Sequence, residues 1–380
     1  MAQIIGSPNR YVQGMGLLGE LGDYTAKYGK KPLLILSKGG QERFGKALGR
    51  SFEQSGCPPE TVIFNGECSQ REIDRIKGLA AEKGADVLVG VGGGKIIDTT
   101  KAAAYYAGSP CLVMPTLASS DAPCSSLSVV YTDDHRFESY LYLPAGPDMV
   151  LMDTGIIAQA PPRLLASGMG DALATYFEAR ACQQSHSKNC LGGNVTLAAM
   201  GIAELCYGTL MSDGLKAILA ASAEACTPAL EAIVEANTYL SGIGFESGGL
   251  ALAHAIHNGL TVLPGTHDLY HGEKVAFGTL TQLVMENADE EELQHIFEFC
   301  ITMGLPVTFA ELGLEDVTAE ELLKAAEAAA APDDTAHNMP FPVSAQSILN
   351  GMVAADALGH FYLGDDGEEG CGCGHDHSHC

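Results

Sequence analysis

The sequence predicts two domains in series: an N-terminal α/β domain built on a parallel sheet, then an all-α C-terminal domain. Three observations carry this expectation. The first third alternates short apolar runs with helix-length segments, which is the βαβ pattern. From about Pro161 alanine, leucine, glutamate and methionine dominate and strand-like runs vanish. At 380 residues the chain exceeds one typical core.

The elements follow in order. Residues 32–36 read as a buried parallel strand, ended by Lys38-Gly39-Gly40, with a helix over 41–54. Residues 61–64 form a second strand, and 71–83 a helix with Ile73, Ile76 and Leu79 on one face. A third strand at 86–91 runs into glycines, a helix covers 96–106, and a fourth strand lies at 111–115. Such a series implies a parallel sheet with helices on both faces. Asp148, Asp153, Gly155 and two prolines mark the junction, which gives domains at 1–160 and 161–363 and a low-complexity polar tail at 364–380.

Composition excludes several partner classes. The formal net charge of −26 opposes nucleic acid and anionic membrane surfaces, both of which need a basic face. No apolar run reaches bilayer length, and the N-terminus lacks the charged start and apolar stretch of a secretory leader. Of 12 cysteines, nine are scattered singly between Cys57 and Cys300, so reduced thiols in a cytoplasm are expected.

Two regions carry chemistry. Gly92-Gly93-Gly94-Lys95 lies between a strand and a helix, where glycine admits a pyrophosphate and the helix N-terminus supplies free N–H groups. That makes the first domain a candidate dinucleotide-binding domain; an ordinary strand-to-helix turn would look the same. Asp98, one turn later, also fits a first-turn acid. Downstream, His254, His257, His267 and His271 fall within eighteen residues. Four imidazoles in a glycine-rich window point to metal or acid–base work, but spacing leaves open which of them bind. Asp171 follows Gly-x-Gly and opens an apolar helix, as a metal ligand or a helix cap would.

Longer stretches identify a family. Gly66-Glu67-Cys68-Ser69-Gln70, Gly92-Gly93-Gly94-Lys95 with Asp98, and Ala118 through Ser125 resemble the glycerol dehydrogenases of the iron-containing, or group III, alcohol dehydrogenases. So do Gly170-Asp171-Ala172-Leu173-Ala174-Thr175, Gly244 through Leu250, and His271 through Gly278. The resemblance runs from Ile4 to about Leu363.

It implies a dehydroquinate synthase-like fold, a site in the domain cleft, NAD as cofactor, and one zinc per subunit, with iron or another divalent metal in some members. The positions matching the metal ligands are Asp171, His254 and His271, which also face the substrate. This leaves His257 and His267 as supporting or structural residues. Asp121 matches a residue beside the substrate. Gly94, Lys95, Thr116, Ser119, Ser125, Leu127 and Tyr131, together with Ser37 and Asp98, match the cofactor's surroundings. The implied reaction is reversible hydride transfer from glycerol, a small polyol, to NAD in a cytoplasmic homo-oligomer. Rival readings are a dehydrogenase of 1,2-propanediol or butanol on the same fold, and a metal-storage protein from a different class.

Two features depart from the family pattern. Ser37 replaces the aspartate that usually binds the adenosine ribose, which predicts relaxed selectivity between NAD and NADP; the alternative is that Ser37 still bonds the ribose. Cys371, Cys373, His375, His377, His379 and Cys380 put six metal-binding side chains in ten residues. Either they form a metal store in a disordered tail, or they bind metal adventitiously.

Overall fold

The computed structural model describes residues 2–133 and 137–364. The Cys/His-rich tail, with its expected metal and disorder, lies outside the described residues.

Six strands form a parallel sheet in the order β1-β8-β5-β4-β2-β3. They are β1 (Tyr11–Gly14), β2 (Pro32–Leu36), β3 (Glu60–Ile63), β4 (Val87–Gly92), β5 (Cys111–Pro115) and β8 (Met149–Asp153), while β6 (Leu127–Tyr131) and β7 (Phe137–Tyr142) make a separate antiparallel hairpin. Around the sheet lie α1 (Leu21–Thr25), α2 (Lys38–Gln54), α3 (Gln70–Lys83), α4 (Gly94–Ala107) and α5 (Thr154–Ile157). Leu33, Ile35, Leu88 and Val113 pack on one face, and Leu34, Leu36, Val89, Leu112 and Met114 on the other. Burial on both faces explains why these strands read as unbroken apolar runs. Each fully buried leucine or isoleucine contributes roughly 1.5–3 kcal/mol.

The expected α/β domain is present, with four of its strands where the apolar runs placed them. Three differences have local causes. Lys38-Gly39-Gly40 open α2 rather than end the preceding strand, because Ser37 Oγ caps the helix, accepting from Gly40 N at 3.0 Å. The short β1 is half-buried throughout, so it carries no buried run. The hairpin strand β6 alternates buried and half-buried residues inside a motif rich in serine.

In the sheet, Leu36 pairs with Val91 and Gly92 with Pro115. The C-terminal ends of β2, β4 and β5 therefore share one edge, which carries Ser37, the glycine loop and Thr116. The chain leaves β2 toward β3 and returns to β4 on the other side, so this edge is a topological switch point, where open α/β sheets bind ligands.

The second half is helical, as expected: α6 (Pro162–Ser185), α7 (Leu197–Ser222), α8 (Pro228–Glu235), α9 (Ser241–Gly248), α10 (Leu252–Leu260), α11 (His271–Met285), α12 (Glu290–Met303), α13 (Ala319–Ala329) and α14 (Ala345–Leu363). Between α8 and α9 the helix widens into a π turn at Ala236–Leu240. There Asn237 Nδ2 donates to Ala118 O at 2.9 Å and Leu165 O at 3.0 Å, tying the loop after β5 to α6. Among the described residues no helix is long and apolar enough to cross a membrane.

Candidate active site

Backbone proximity builds the site. Gly170 and Gly272 lie where α6 and α11 meet; a Cβ on Gly272 would strike Ser167 O, and one on Gly170 would strike Gly272 O. Only glycine lets the two helices approach so closely. The approach sets Asp171 beside His271, and α10, packed along α11, brings His254 to the same point. Ligand atoms of Asp171, His254 and His271 all lie within 4.8 Å of one another.

The geometry is that of a ligand set. Asp171 Oδ1 is 3.1 Å from His271 Nε2 and 3.4 Å from His254 Nε2, and the aspartate is fully buried. Glu178 Oε2 stands 2.6 Å from His254 Nδ1. A carboxylate only accepts, so Nδ1 donates to Glu178, and the Nε2 lone pair of the neutral ring faces Asp171. Two acceptors then face each other, and a positive charge belongs between them. Of the four candidate histidines, the structure joins His254 and His271 to Asp171. His257 stands behind them, with Nε2 2.9 Å from His271 Nδ1. His267 lies apart, its Nε2 3.2 Å from Thr261 O.

The electrostatics favour positive charge at the same point, carried by the His254 ring itself when its Nε2 holds a proton. Burial alone would raise the Asp171 pKa, but His271 and His254 hold it well below the carboxylate range. Burial pulls His254 down, yet Glu178 and Asp171 outweigh it and push the ring well above its ordinary value. Burial, helped by His271, pushes His257 far down and keeps it neutral. Asp121 is raised by burial and by the neighbouring Asp171.

Asp121 joins the two halves of the molecule. Its backbone N–H donates to Asp171 Oδ2 at 3.3 Å, and its Oδ2 accepts from Ser241 Oγ at 2.7 Å. The loop bearing it is pinned by buried Lys101, which donates to Ala122 O at 2.8 Å and to Leu127 O.

The residues expected around a cofactor spread over the switch-point edge and the hairpin. Gly94 opens α4, whose first turn has no side-chain cap, and the space beside a Gly94 Cβ is open. Free N–H groups and open space fit a phosphate. Lys95 Nζ donates to Glu67 at 2.7 Å. Thr116 is buried, with its N–H on Gly92 O at 3.0 Å, and Ser119 is half-buried. Ser125 Oγ donates to Ala122 O at 3.2 Å. Leu127 and Tyr131 share the less buried face of β6. Asp98 turns away from the glycine loop: Oδ1 pairs with Lys101 at 3.0 Å, and Oδ2 accepts from Val129 N at 3.1 Å.

Glu178 and Lys101 were not among the residues expected from the sequence. Only Glu178 had a signal, since it follows Asp171 by two helical turns on one face.

Residues 8–154 match the model of a family described as iron-containing alcohol dehydrogenase. A glycerol dehydrogenase from Escherichia coli O6:H1 is 49% identical over 363 residues, covering 96% of this chain and 99% of the relative. A glycolaldehyde reductase from Halobacterium salinarum is 43% identical, covering 94% of this chain and 98% of the relative. The crystal structure of glycerol dehydrogenase from Schizosaccharomyces pombe superposes with a TM-score of 0.91 at 39% identity, covering 96% of this chain and 93% of that one. The sheet, the helical half and the relatives together define an oxidoreductase. The chain belongs to the iron-containing alcohol dehydrogenase family. Membership implies a nicotinamide dinucleotide and a divalent metal, and the Asp171, His254 and His271 donor set suits such an ion.

Proposed function

We propose that the protein is an NAD-dependent glycerol dehydrogenase that interconverts glycerol and dihydroxyacetone and also acts on related vicinal diols. One observation carries this reading: Asp121, on the loop beside the cofactor edge, bonds directly to the metal-ligand candidate Asp171. A substrate held at the junction would meet both halves of the site.

Asp171, His254 and His271 would hold one zinc per subunit. When bound, the metal supplies Lewis-acid polarisation of the reacting hydroxyl, and NAD supplies the hydride acceptor. Asp121 Oδ2, oriented by Ser241, is placed to bond a substrate hydroxyl and take its proton. The uncapped N-terminus of α4 would seat the pyrophosphate, Thr116, Ser119, Ser125, Leu127 and Tyr131 would border the nicotinamide half, and Ser37 the ribose. Oxidation at the secondary carbon would give up one hydride, for which NAD is the acceptor, and one proton, which Asp121 is placed to take.

The relative named as a glycolaldehyde reductase favours a second reading, in which the same site reduces a small hydroxyaldehyde. Rates with glycerol and NAD, and with glycolaldehyde and NADH, separate the two. Glycerol-dependent NAD reduction that disappears with chelator and returns with zinc supports the first. Absence of glycerol turnover in zinc-loaded protein overturns it.

The division at about residue 160, a cytoplasmic setting and a homo-oligomer belong to the same proposal. The nine cysteines among the described residues are unpaired, which supports a reducing compartment. Along α7, Leu197, Leu205, Leu215 and Leu219 are exposed, which supports contact between copies. The tail residues Cys371, Cys373, His375, His377, His379 and Cys380 would hold further metal, tested by metal occupancy after truncation at Gly364.

A further inference from the structure

We infer that Asp334, acting through Asn258 and His257, fixes which nitrogen of His271 is free to bind the metal. This rests on the reading of Asp171, His254 and His271 as the metal site.

Four contacts run in series. Asp334 Oδ2 accepts from Asn258 Nδ2 at 3.0 Å. Asn258 Oδ1 is 3.1 Å from His257 Nδ1. His257 Nε2 is 2.9 Å from His271 Nδ1, and His271 Nε2 is 3.1 Å from Asp171 Oδ1.

Donor and acceptor chemistry gives the series one direction. An ionised carboxylate can only accept, so Asn258 turns its amide nitrogen to Asp334 and its oxygen to His257. An amide oxygen also only accepts, so His257 carries its hydrogen on Nδ1. In the neutral ring Nε2 is then the acceptor, and His271 Nδ1 must donate to it. The lone pair of His271 is left on Nε2, the nitrogen that faces Asp171. Each imidazole ligand thus has an anionic director: Glu178 bonds His254 directly, and Asp334 reaches His271 through two side chains. Second carboxylates commonly orient metal-binding histidines in this way.

Asp334 is itself held. Its Oδ1 accepts from Thr335 N at 2.6 Å, capping the turn Thr335–Asn338, and Thr335 Oγ donates to Ala251 O at 2.7 Å, just before α10. Tyr140 of the hairpin also bonds Asn258. A hydroxyl can donate or accept, so it sets no direction.

Asp334→Asn tests this. Asparagine keeps the cap, with its oxygen on Thr335 N, and presents an N–H to Asn258. Asn258 must then turn over, which reverses each bond and places the hydrogen on His271 Nε2. Zinc affinity of the metal-stripped protein, measured by chelator competition, is expected to fall about 10–100-fold. Adding Asn258→Asp restores an acceptor-only group in the chain, and the double variant is expected within about threefold of the parent, less than 1 kcal/mol. Asn258→Leu breaks the chain without touching the cap and is expected to weaken zinc binding about tenfold. Histidine 15N shifts should report His271 protonated at Nε2 only in Asp334→Asn.

An unchanged affinity in Asp334→Asn, or no recovery in the double variant, overturns the inference. His271→Ala separates this from failure of the site itself. If that variant binds zinc like the parent, the metal-site reading falls. If it loses zinc while Asp334→Asn does not, only the role of Asp334 falls.

Discussion

Glu178 and His254 are joined twice. Glu178 Oε2 lies 2.6 Å from His254 Nδ1, while its Oε1 accepts the His254 backbone N–H at 3.0 Å. One buried carboxylate thus fixes both the start of α10 and the ring it carries. Glu178→Gln keeps an acceptor for one contact but not both. It should weaken zinc binding about 10–100-fold, read by chelator competition, with a smaller change in melting temperature.

Removing a ligand should remove metal and catalysis together. Asp171→Ala or His271→Ala should leave the isolated protein without stoichiometric metal. Its kcat/KM for glycerol should drop by at least about a thousandfold, or roughly 4 kcal/mol. Metal analysis beside steady-state kinetics checks this, and a metal-free variant of full activity would refute the site.

Asp121 should separate from the ligands by its signature. Its side chain bonds Ser241 rather than the histidines. Asp121→Asn should therefore retain zinc while kcat falls about 10²–10⁴-fold, the range for loss of a proton-transfer group. Loss of zinc in that variant would make Asp121 part of the metal site instead.

Ser37 caps α2, and aspartate caps as well as serine, so Ser37→Asp should fold normally. Its carboxylate would accept from ribose hydroxyls and repel a 2′-phosphate. The parent should prefer NAD over NADP by less than about a thousandfold, roughly 4 kcal/mol, and the variant should raise that preference at least about tenfold. The ratio of kcat/KM values measures both.

Glu246 gives a pH dependence of known sign. Burial raises its pKa, against hydrogen bonds from Ser126 that lower it. The folded chain therefore takes up this proton at higher pH than the unfolded chain. The resulting stability is complete below the unfolded value of about 4.3 and is lost as pH rises through the raised folded value. Relative to Glu246→Gln, the parent should gain melting temperature as pH falls from about 8 to about 4, just below the unfolded value. A constant difference across that range would contradict the raised pKa.

Two-sided burial made three strands legible, but not the equally buried β8, whose Met149–Asp153 run falls in the stretch that reads as a domain junction. β2, β4 and β5 are buried along nearly their whole length, so their apolar runs stand out without any knowledge of neighbours. β1 and the hairpin were not legible, because a half-buried strand depends on what covers it. The metal residues were legible as types in a window. Their selection from four histidines came first from family resemblance, since spacing along a chain does not fix distance in space.

By itself the sequence determined the parallel α/β half, the helical half, the glycine loop and the family. These depend on local periodicity and contiguous motifs. Only the tertiary structure decided that Gly170 and Gly272 bring two helices into backbone contact, that Glu178 bonds the His254 ring, and that Asp334 lies at the far end of a chain leading to His271. Glu178 and His254, like Asn258 and Asp334, stand 76 positions apart in the chain, and only packing brings such pairs together to set hydrogen-bond direction.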